Sequence, residues 1–137
     1  EENFMLTYGD GLTNQNIKKL EKFHLRNNKT ATMTIVRPPV RFGKVKTKGL
    51  LIRNFKEKPQ IKQSWINGGF FVLNKKIFNY LENDQTVFEK EPLENLSKEK
   101  QLIAFKHNGF WQPMDTLREK EYLEELWQSN KAPWKIW

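Results

Sequence analysis

Residues 4–11 read Phe-Met-Leu-Thr-Tyr-Gly-Asp-Gly, a short apolar run that ends in an aspartate between two glycines. An uncharged run of this length is typical of a strand buried on both faces, as in parallel α/β sheets. Ligands of open α/β sheets bind beyond the carboxyl ends of the strands, so Asp10 is expected to face a crevice. Because Mg²⁺ is often held by one or two carboxylates with substrate phosphates, Asp10 is a candidate metal ligand. The alternative is an ordinary turn, which both residue types favour.

The composition predicts one soluble domain. A chain of 137 residues can bury one core, and its 37% hydrophobic and 13% aromatic residues exclude a disordered chain. No apolar run reaches the roughly 20 residues that span a bilayer, so no membrane partner is expected. Cysteine is absent, which excludes disulfides and thiolate zinc sites. A reducing, cytoplasmic location is therefore expected.

The formal net charge of +8 favours an anionic partner. The lysines are scattered over residues 17–22, 44–62 and 98–106, without a basic stripe interleaved with aromatic residues. No RNA-recognition, KH or zinc-finger pattern occurs either. A phosphate-bearing small molecule is therefore preferred over nucleic acid, and a basic nucleic-acid-binding domain remains the rival hypothesis.

The first half of the chain predicts a β-α-β unit. Thr13 is the expected helix cap, and Ile17, Leu20 and Phe23 recur at helical spacing up to Asn27 or Asn28. His24 lies beside this stripe and is expected to be packed or exposed, without a ligand role. Residues 31–35 then alternate as in a strand, and residues 45–55 predict a hairpin turning at Lys48-Gly49.

The second half predicts two strands and three helical segments. Residues 65–73 are β-prone, and two adjacent glycines inside them indicate close approach by a backbone or a ligand. Short helices are expected over residues 77–81 and from Glu91, followed by a strand over residues 102–105. Thr116 and Glu119 form a capping box for a last helix with Leu123, Leu126 and Trp127 facing inward. Asp115 precedes that helix, where a carboxylate also suits the helix dipole.

Five short sequence motifs follow one another along the chain: Tyr8 to Gly11, Arg41 to Gly43, Glu57 to Pro59, Trp65 to Phe71 and Gly109 to Thr116. Together they resemble the sugar-1-phosphate nucleotidyltransferases, and the phrases around Trp65, Trp111 and Trp134 resemble the cytidylyl branch of that family. The resemblance runs from Phe4 to the end of the chain. It implies a Rossmann-like nucleotide-diphospho-sugar transferase fold of the α/β class, with a mixed sheet flanked by helices.

The chain departs from the family's pattern at its start. Family members begin with a glycine-rich loop whose arginine and lysine bind the nucleotide triphosphate, and this sequence contains no such loop. We therefore expect residues 1–137 to be the second half of a single nucleotidyltransferase domain and an incomplete enzyme. The resemblance also implies a homo-oligomer for the full-length protein.

The resemblance assigns the reaction and its metal. Asp10 and Asp115 match the two aspartates that hold Mg²⁺ between the nucleotide and sugar phosphates. The implied reaction transfers a cytidylyl group from CTP to glucose 1-phosphate and gives CDP-glucose and pyrophosphate. Such chemistry depends mainly on positioning and charge neutralisation. Use of dTTP, UTP or ATP instead, or a noncatalytic module that binds a sugar phosphate, remains an alternative.

The resemblance also assigns the sugar site. Lys58 matches the catalytic lysine that contacts the sugar phosphate, and Glu57 matches the carboxylate that accepts hydrogen bonds from sugar hydroxyls. The backbone at Gly43 and Gly69 is the implied wall of the sugar site, with Asn67 as a hydroxyl partner. Without the resemblance, residues 57 and 58 would be interpreted as an exposed ion pair. By the same reasoning Trp65 and Trp111 would be core residues, and His107 has no zinc-binding spacing.

Overall fold

The structure, a computed structural model, describes residues 2–38, 44–56 and 64–137. Its centre is a four-stranded mixed sheet with the order β1-β6-β3-β7. The sheet strands are β1 Asn3–Thr7, β3 Ala31–Val36, β6 Ile66–Asn74 and β7 Leu102–Lys106. Two ladders accompany it: β2 Gly11–Thr13 with β8 Trp111–Pro113, and β4 Lys44–Lys48 with β5 Leu51–Lys56. The helices are α1 Ile17–Asn27, α2 Glu91–Lys98, α3 Leu117–Gln128 and a 3₁₀ helix Lys75–Tyr80.

Strand directions place three carboxyl ends together. Strands β1 and β3 are both antiparallel to β6, so they run parallel to each other, and β7 is parallel to β3. The predicted β-α-β unit is confirmed, with β6 inserted between its two strands. Residues that follow Thr7, Val36 and Lys106 therefore lie at one edge of the sheet, which we call the carboxyl-end edge.

Helices cover both faces of the sheet, as the predicted fold class requires. On one face, Phe71 and Leu73 of β6 pack with Ile77 of the 3₁₀ helix and with Leu93 and Leu96 of α2. The other face meets α1, whose Leu20 and His24 are buried. Because strand side chains alternate between faces, the apolar residues of β6 serve two layers.

Strand β1 differs from the prediction. It was expected to be buried on both faces of a parallel sheet, but among the strands that the structure describes it lies at the end of the order, beside an antiparallel neighbour. Met5 is 46% exposed. The apolar composition of Phe4 to Leu6 reflects packing on one face, where Phe4 and Leu6 lie against the core.

The start of α1 also differs. The cap is Asn16, whose side chain accepts a hydrogen bond from the backbone of Lys19, and not Thr13. Thr13 instead belongs to β2, and its hydroxyl donates to the backbone carbonyl of Phe110. The predicted helix end is confirmed, since Asn28 adopts the left-handed conformation at the C-cap.

Helix α3 confirms the predicted capping box between Thr116 and Glu119. Leu123 is buried as predicted, but Trp127 is 49% exposed and does not face inward. Its ring stacks instead on Trp134, at 6.5 Å between centroids. The predicted hairpin is confirmed as β4 and β5, with Gly49 at a positive φ in the turn.

His24 joins three strands through a buried polar network. Its Nδ1 lies 2.8 Å from the hydroxyl of Thr32 on β3, and its Nε2 lies 3.3 Å from Oδ1 of Asn3 on β1. The same Asn3 oxygen accepts a hydrogen bond from Asn74 on β6. Burial lowers the pKa of His24 below its ordinary value. Of the two positions left open for this residue, packed or exposed, the structure shows the packed one.

We expect His24 to make stability fall with acidification. The folded chain keeps the imidazole neutral, whereas the unfolded chain takes up its proton as the pH falls through 6.5. The free energy of unfolding should therefore decrease from about pH 7.5 to pH 5.5, which urea titrations can measure. In His24→Gln, which does not titrate, this pH-dependent part of the free energy of unfolding should be absent. The difference in that free energy between the two proteins should therefore shrink as the pH falls. Parallel curves would contradict the assignment.

Candidate functional site

The β2–β8 ladder brings the two predicted aspartates together. Gly11 pairs with Pro113 in this antiparallel ladder, and the backbone N–H of Met114 donates to the carbonyl of Asp10 at 2.8 Å. Asp115 is the next residue. The backbones of Asp10 and Asp115 therefore lie side by side at one end of the ladder, and both side chains are exposed.

Asp10 is positioned by the strand before it. The backbone N–H of Tyr8 donates to Gly69 at 2.9 Å, which extends the pairing of β1 with β6 to the carboxyl-end edge. A turn at Gly9 and Asp10 then leads into β2. Gly9-Asp10-Gly11 can therefore be both an ordinary turn and a ligand-facing segment, because the turn lies at the carboxyl-end edge, where ligands of α/β sheets bind.

Asp115 is positioned by the N-terminus of α3. Its backbone N–H donates to the Glu119 carboxylate at 2.8 Å, as does that of Thr116 at 3.0 Å. The capping box therefore orients the peptide that carries Asp115. The favourable helix-dipole position predicted for this carboxylate is also present.

Asn67 is fixed by two hydrogen bonds, to Tyr8 and to Gly69. Its Nδ2 donates to the phenol oxygen of Tyr8 at 2.9 Å, and its Oδ1 accepts from the backbone of Gly69 at 2.8 Å. Among the described residues, the second N–H of the amide has no further hydrogen-bond partner. The side chain is therefore held in one orientation with a donor to spare.

Tyr8 is a site residue that the sequence interpretation did not assign. Burial raises the pKa of Tyr8 to about 12, and the neighbouring Glu89 carboxylate adds to the shift, while the bond from Asn67 opposes it. The negative charge of Asp10 also raises this pKa. The residue could have been suspected from its place in Tyr-Gly-Asp-Gly, but its partner is visible only through the pairing of β1 with β6.

Both glycines of β6 have close contacts; the backbone approach that was predicted is found at Gly68, whereas the group next to Gly69 is a side chain. Gly69 has a φ of 74°, and a Cβ added there would lie 2.7 Å from the ring of Tyr8. A Cβ on Gly68 would lie 3.0 Å from the backbone oxygen of Thr34. The approaching groups belong to β3 and to the end of β1. The register of β3 against β6 shifts at this same place.

The two tryptophans expected in the core are only partly buried. Trp111 donates its indole N–H to the carbonyl of Gly68 at 2.9 Å, which ties β8 to β6. Trp65 instead lies under cationic groups, with the guanidinium of Arg37 at 4.6 Å and the ammonium of Lys106 at 5.7 Å from its ring centroid. Polar partners, and not core packing alone, therefore determine both positions.

Three predicted site residues, Gly43, Glu57 and Lys58, lie outside the described residues. Of the predicted site, the structure thus brings together Asp10, Asp115, Asn67 and Gly69. Within residues 2–38, 44–56 and 64–137, no group of three or more His, Asp or Glu side chains is placed to hold a metal ion. In the same part of the chain, no helix combines the length and the apolar character needed to cross a membrane.

Comparison with known proteins gives the family. The nucleotidyl transferase family model matches residues 1–126. The chain belongs to the nucleotidyl transferase family. It is 50% identical over 137 residues to glucose-1-phosphate cytidylyltransferase of Salmonella typhimurium, which covers all of this chain and 53% of that relative. The chain thus spans about half the length of this relative.

More distant proteins also match. The catalytic subunit beta of mannose-1-phosphate guanylyltransferase from Drosophila melanogaster is 30% identical over 126 residues, which are 89% of this chain and 34% of the relative. The crystal structure of HddC from Yersinia pseudotuberculosis superimposes with a TM-score of 0.63 at 21% identity, over 93% of this chain and 56% of that one. The likeness to HddC supports the fold of this chain alone.

The contact between Tyr8 and Gly69 predicts a stability difference between two glycines. Gly69→Ala should lower the free energy of unfolding by roughly 1–3 kcal/mol, since φ is positive and the added methyl group meets the Tyr8 ring. Gly9→Ala is the matched control, because an added Cβ there meets nothing within 4 Å. Urea unfolding measures both. Equal effects of the two substitutions would show that the contact is unimportant.

Proposed function

We propose that this nucleotidyl transferase chain carries part of the site that transfers a cytidylyl group from CTP to glucose 1-phosphate. The observation that carries the proposal is the hydrogen bond from Met114 to Asp10, which puts two carboxylate residues from distant parts of the chain side by side. The Salmonella relative, at 50% identity, supports the choice of CTP and glucose 1-phosphate. On this proposal the products are CDP-glucose and pyrophosphate.

Mg²⁺ fits the donor set at this place. Asp10 and Asp115 offer hard oxygen ligands on adjacent backbones, and Mg²⁺ is commonly bound by one or two carboxylates with substrate phosphates. When bound, the metal ion would neutralise phosphate charge during the transfer. The two aspartates would hold it, with the capping box of α3 keeping Asp115 in place.

The sugar side of the proposed site rests on Asn67 and Gly69. Asn67 is oriented by Tyr8 and Gly69, so its remaining N–H can donate to a sugar hydroxyl without further ordering. Because the pKa of Tyr8 is about 12, its phenol stays protonated at neutral pH and adds no charge beside the phosphates. Gly43, Glu57 and Lys58 complete the sugar site in this proposal.

The proposed reaction is an in-line displacement at the α-phosphorus of CTP. A phosphate oxygen of glucose 1-phosphate forms the new P–O bond while the bond to the pyrophosphate leaving group breaks. The protein supplies positioning and charge neutralisation, with Lys58 assigned to the sugar phosphate and Glu57 to sugar hydroxyls. No covalent intermediate with a protein side chain is required.

Further parts of the proposal concern the protein's context. We infer that residues 1–137 supply the second half of a single nucleotidyl transferase domain; the 53% coverage of the Salmonella relative supports a length of about half. We also propose a cytoplasmic location, in line with the absence of cysteine, and a homo-oligomeric full-length protein. Nucleic acid and membranes are not among the proposed partners.

Substitution of the two aspartates tests the proposal. The chain is joined to the unmatched part of the Salmonella relative, and Mg²⁺-dependent release of pyrophosphate from CTP and glucose 1-phosphate is measured. Asp10→Asn and Asp115→Asn should each lower the rate about 10²-fold or more, because each removes a charge that holds the metal ion. Asp84→Asn, which removes an exposed carboxylate elsewhere, should leave the rate unchanged.

The same assay separates the alternatives. Turnover of dTTP, UTP or ATP in preference to CTP would favour another sugar-1-phosphate nucleotidyltransferase. Binding of glucose 1-phosphate without turnover of any of the four nucleotides would favour a noncatalytic module. Full activity of both aspartate variants would contradict the proposed metal site.

A further inference from the structure

The β4–β5 hairpin presents apolar side chains to solvent at its turn. Leu50 is fully exposed, and Leu51 and Ile52 are 72% and 63% exposed. In the part of the chain that the structure describes, the two strands pair only with each other. An isolated two-stranded hairpin is at best marginally stable in water, and a contiguous exposed apolar surface is typical of an interaction site. The tip of this hairpin is therefore a candidate docking surface.

The hairpin is also strongly basic. Residues 44–56 contain four lysines and one arginine, and no aspartate or glutamate. Lys48 and Arg53, which flank the apolar residues in the sequence, are both exposed. A surface that accepts this hairpin must therefore combine negative charge with apolar contact area.

Helix α3 carries a surface of that kind. Residues 121–129 contain three glutamates and no lysine or arginine. The glutamates stand at positions i, i+3 and i+4, a spacing that places them on one face of a helix. Tyr122 and Trp127, on the same stretch, are 44% and 49% exposed and offer apolar area. The face forms a shallow groove of about 410 Å³, lined by Glu121, Glu124, Glu125, Gln128 and Ser129.

We propose that the β4–β5 hairpin of one copy of this chain docks in the acidic groove of α3 on a second copy. The occupant is a second copy because the two surfaces complement each other in charge and both expose apolar side chains. This contact rests on the homo-oligomer proposed above, and it supplies the two surfaces for that assembly. Asp10 and Asp115 lie in neither surface, so the contact is distinct from the proposed metal site.

Charge also determines which parts of two copies meet. Two hairpins placed together would oppose five cations to five cations, and two α3 faces would oppose glutamates to glutamates. Like charges brought together at an interface disfavour both symmetric arrangements. The contact is therefore head-to-tail, and each copy keeps one hairpin and one groove free for further neighbours. Repetition of such a contact closes a ring or extends a filament.

Sedimentation velocity of the 137-residue chain over a concentration series tests the hairpin surface. Lys48→Glu with Arg53→Glu should raise the dissociation constant of self-association about tenfold or more, because negative charges would then face the glutamates. Lys18→Glu with Lys22→Glu makes the same change in net charge at exposed positions of α1. This control should change the constant less than about threefold, since it alters only the long-range repulsion. Thermal unfolding of each variant controls for folding.

Charge reversal on α3 tests the groove. Glu124→Lys with Glu125→Lys should weaken self-association to a similar extent, because lysines would then face the basic hairpin. A mixture of the hairpin variant and the α3 variant should associate, since each hairpin then meets a groove of opposite charge. Leu50→Ser with Leu51→Ser changes no charge and should also weaken association, because apolar area is lost from the contact.

The results separate these surfaces from the other parts of the proposed function. A chain that stays monomeric throughout the series would contradict both the contact and self-association. Association that the hairpin and α3 variants weaken no more than the α1 control would leave the homo-oligomer standing and overturn these surfaces. Hairpin-dependent cosedimentation of a monomeric chain with phosphatidylserine vesicles would identify a membrane as the occupant and overturn the contact. The pyrophosphate-release assay reports on the transfer site independently of all three outcomes.

Discussion

The contact between the Tyr8 ring and the backbone of Gly69 is the constraint on which the candidate site depends. A Cβ at position 69 would lie 2.7 Å from that ring. The pairing of β1 with β6 can therefore continue to the carboxyl-end edge only because residue 69 is a glycine. With the ring in this position, the phenol oxygen of Tyr8 accepts a hydrogen bond from Asn67, and the backbone N–H of Tyr8 donates to the carbonyl of Gly69. Asp10 follows two residues later, and its position is determined by this pairing.

The second aspartate reaches the same place through independent local structure. The β2–β8 ladder sets the backbone of residues 111–113 against residues 11–13, and the indole of Trp111 ties that ladder to Gly68. The capping box of α3 then fixes the peptide that carries Asp115. The ladder, the Trp111 hydrogen bond and the helix cap together place Asp115 beside Asp10, although the two residues are far apart along the chain.

Charge is distributed unevenly along the carboxyl-end edge. The aspartates lie at the β1 end, while Arg37 and Lys106 lie at the β3 and β7 end around Trp65.

Local patterns in the sequence determined much of the secondary structure. The capping box at Thr116, the hairpin turn at Gly49 and the end of α1 at Asn28 follow from interactions among residues close in the chain. The five phrases shared with the family were sufficient to indicate the nucleotidyl transferase fold. The candidate pair of aspartates was also indicated by sequence.

Only the tertiary structure decided which faces are buried and which partners meet. The apolar composition of Phe4 to Leu6 did not reveal that β1 pairs, among the described strands, only with the antiparallel β6 and leaves Met5 exposed. Thr13 could cap a helix or pair in a ladder, and the distant strand β8 determined which. The Tyr8–Asn67 bond and the cations on Trp65 depend on strand order, which no local pattern encodes.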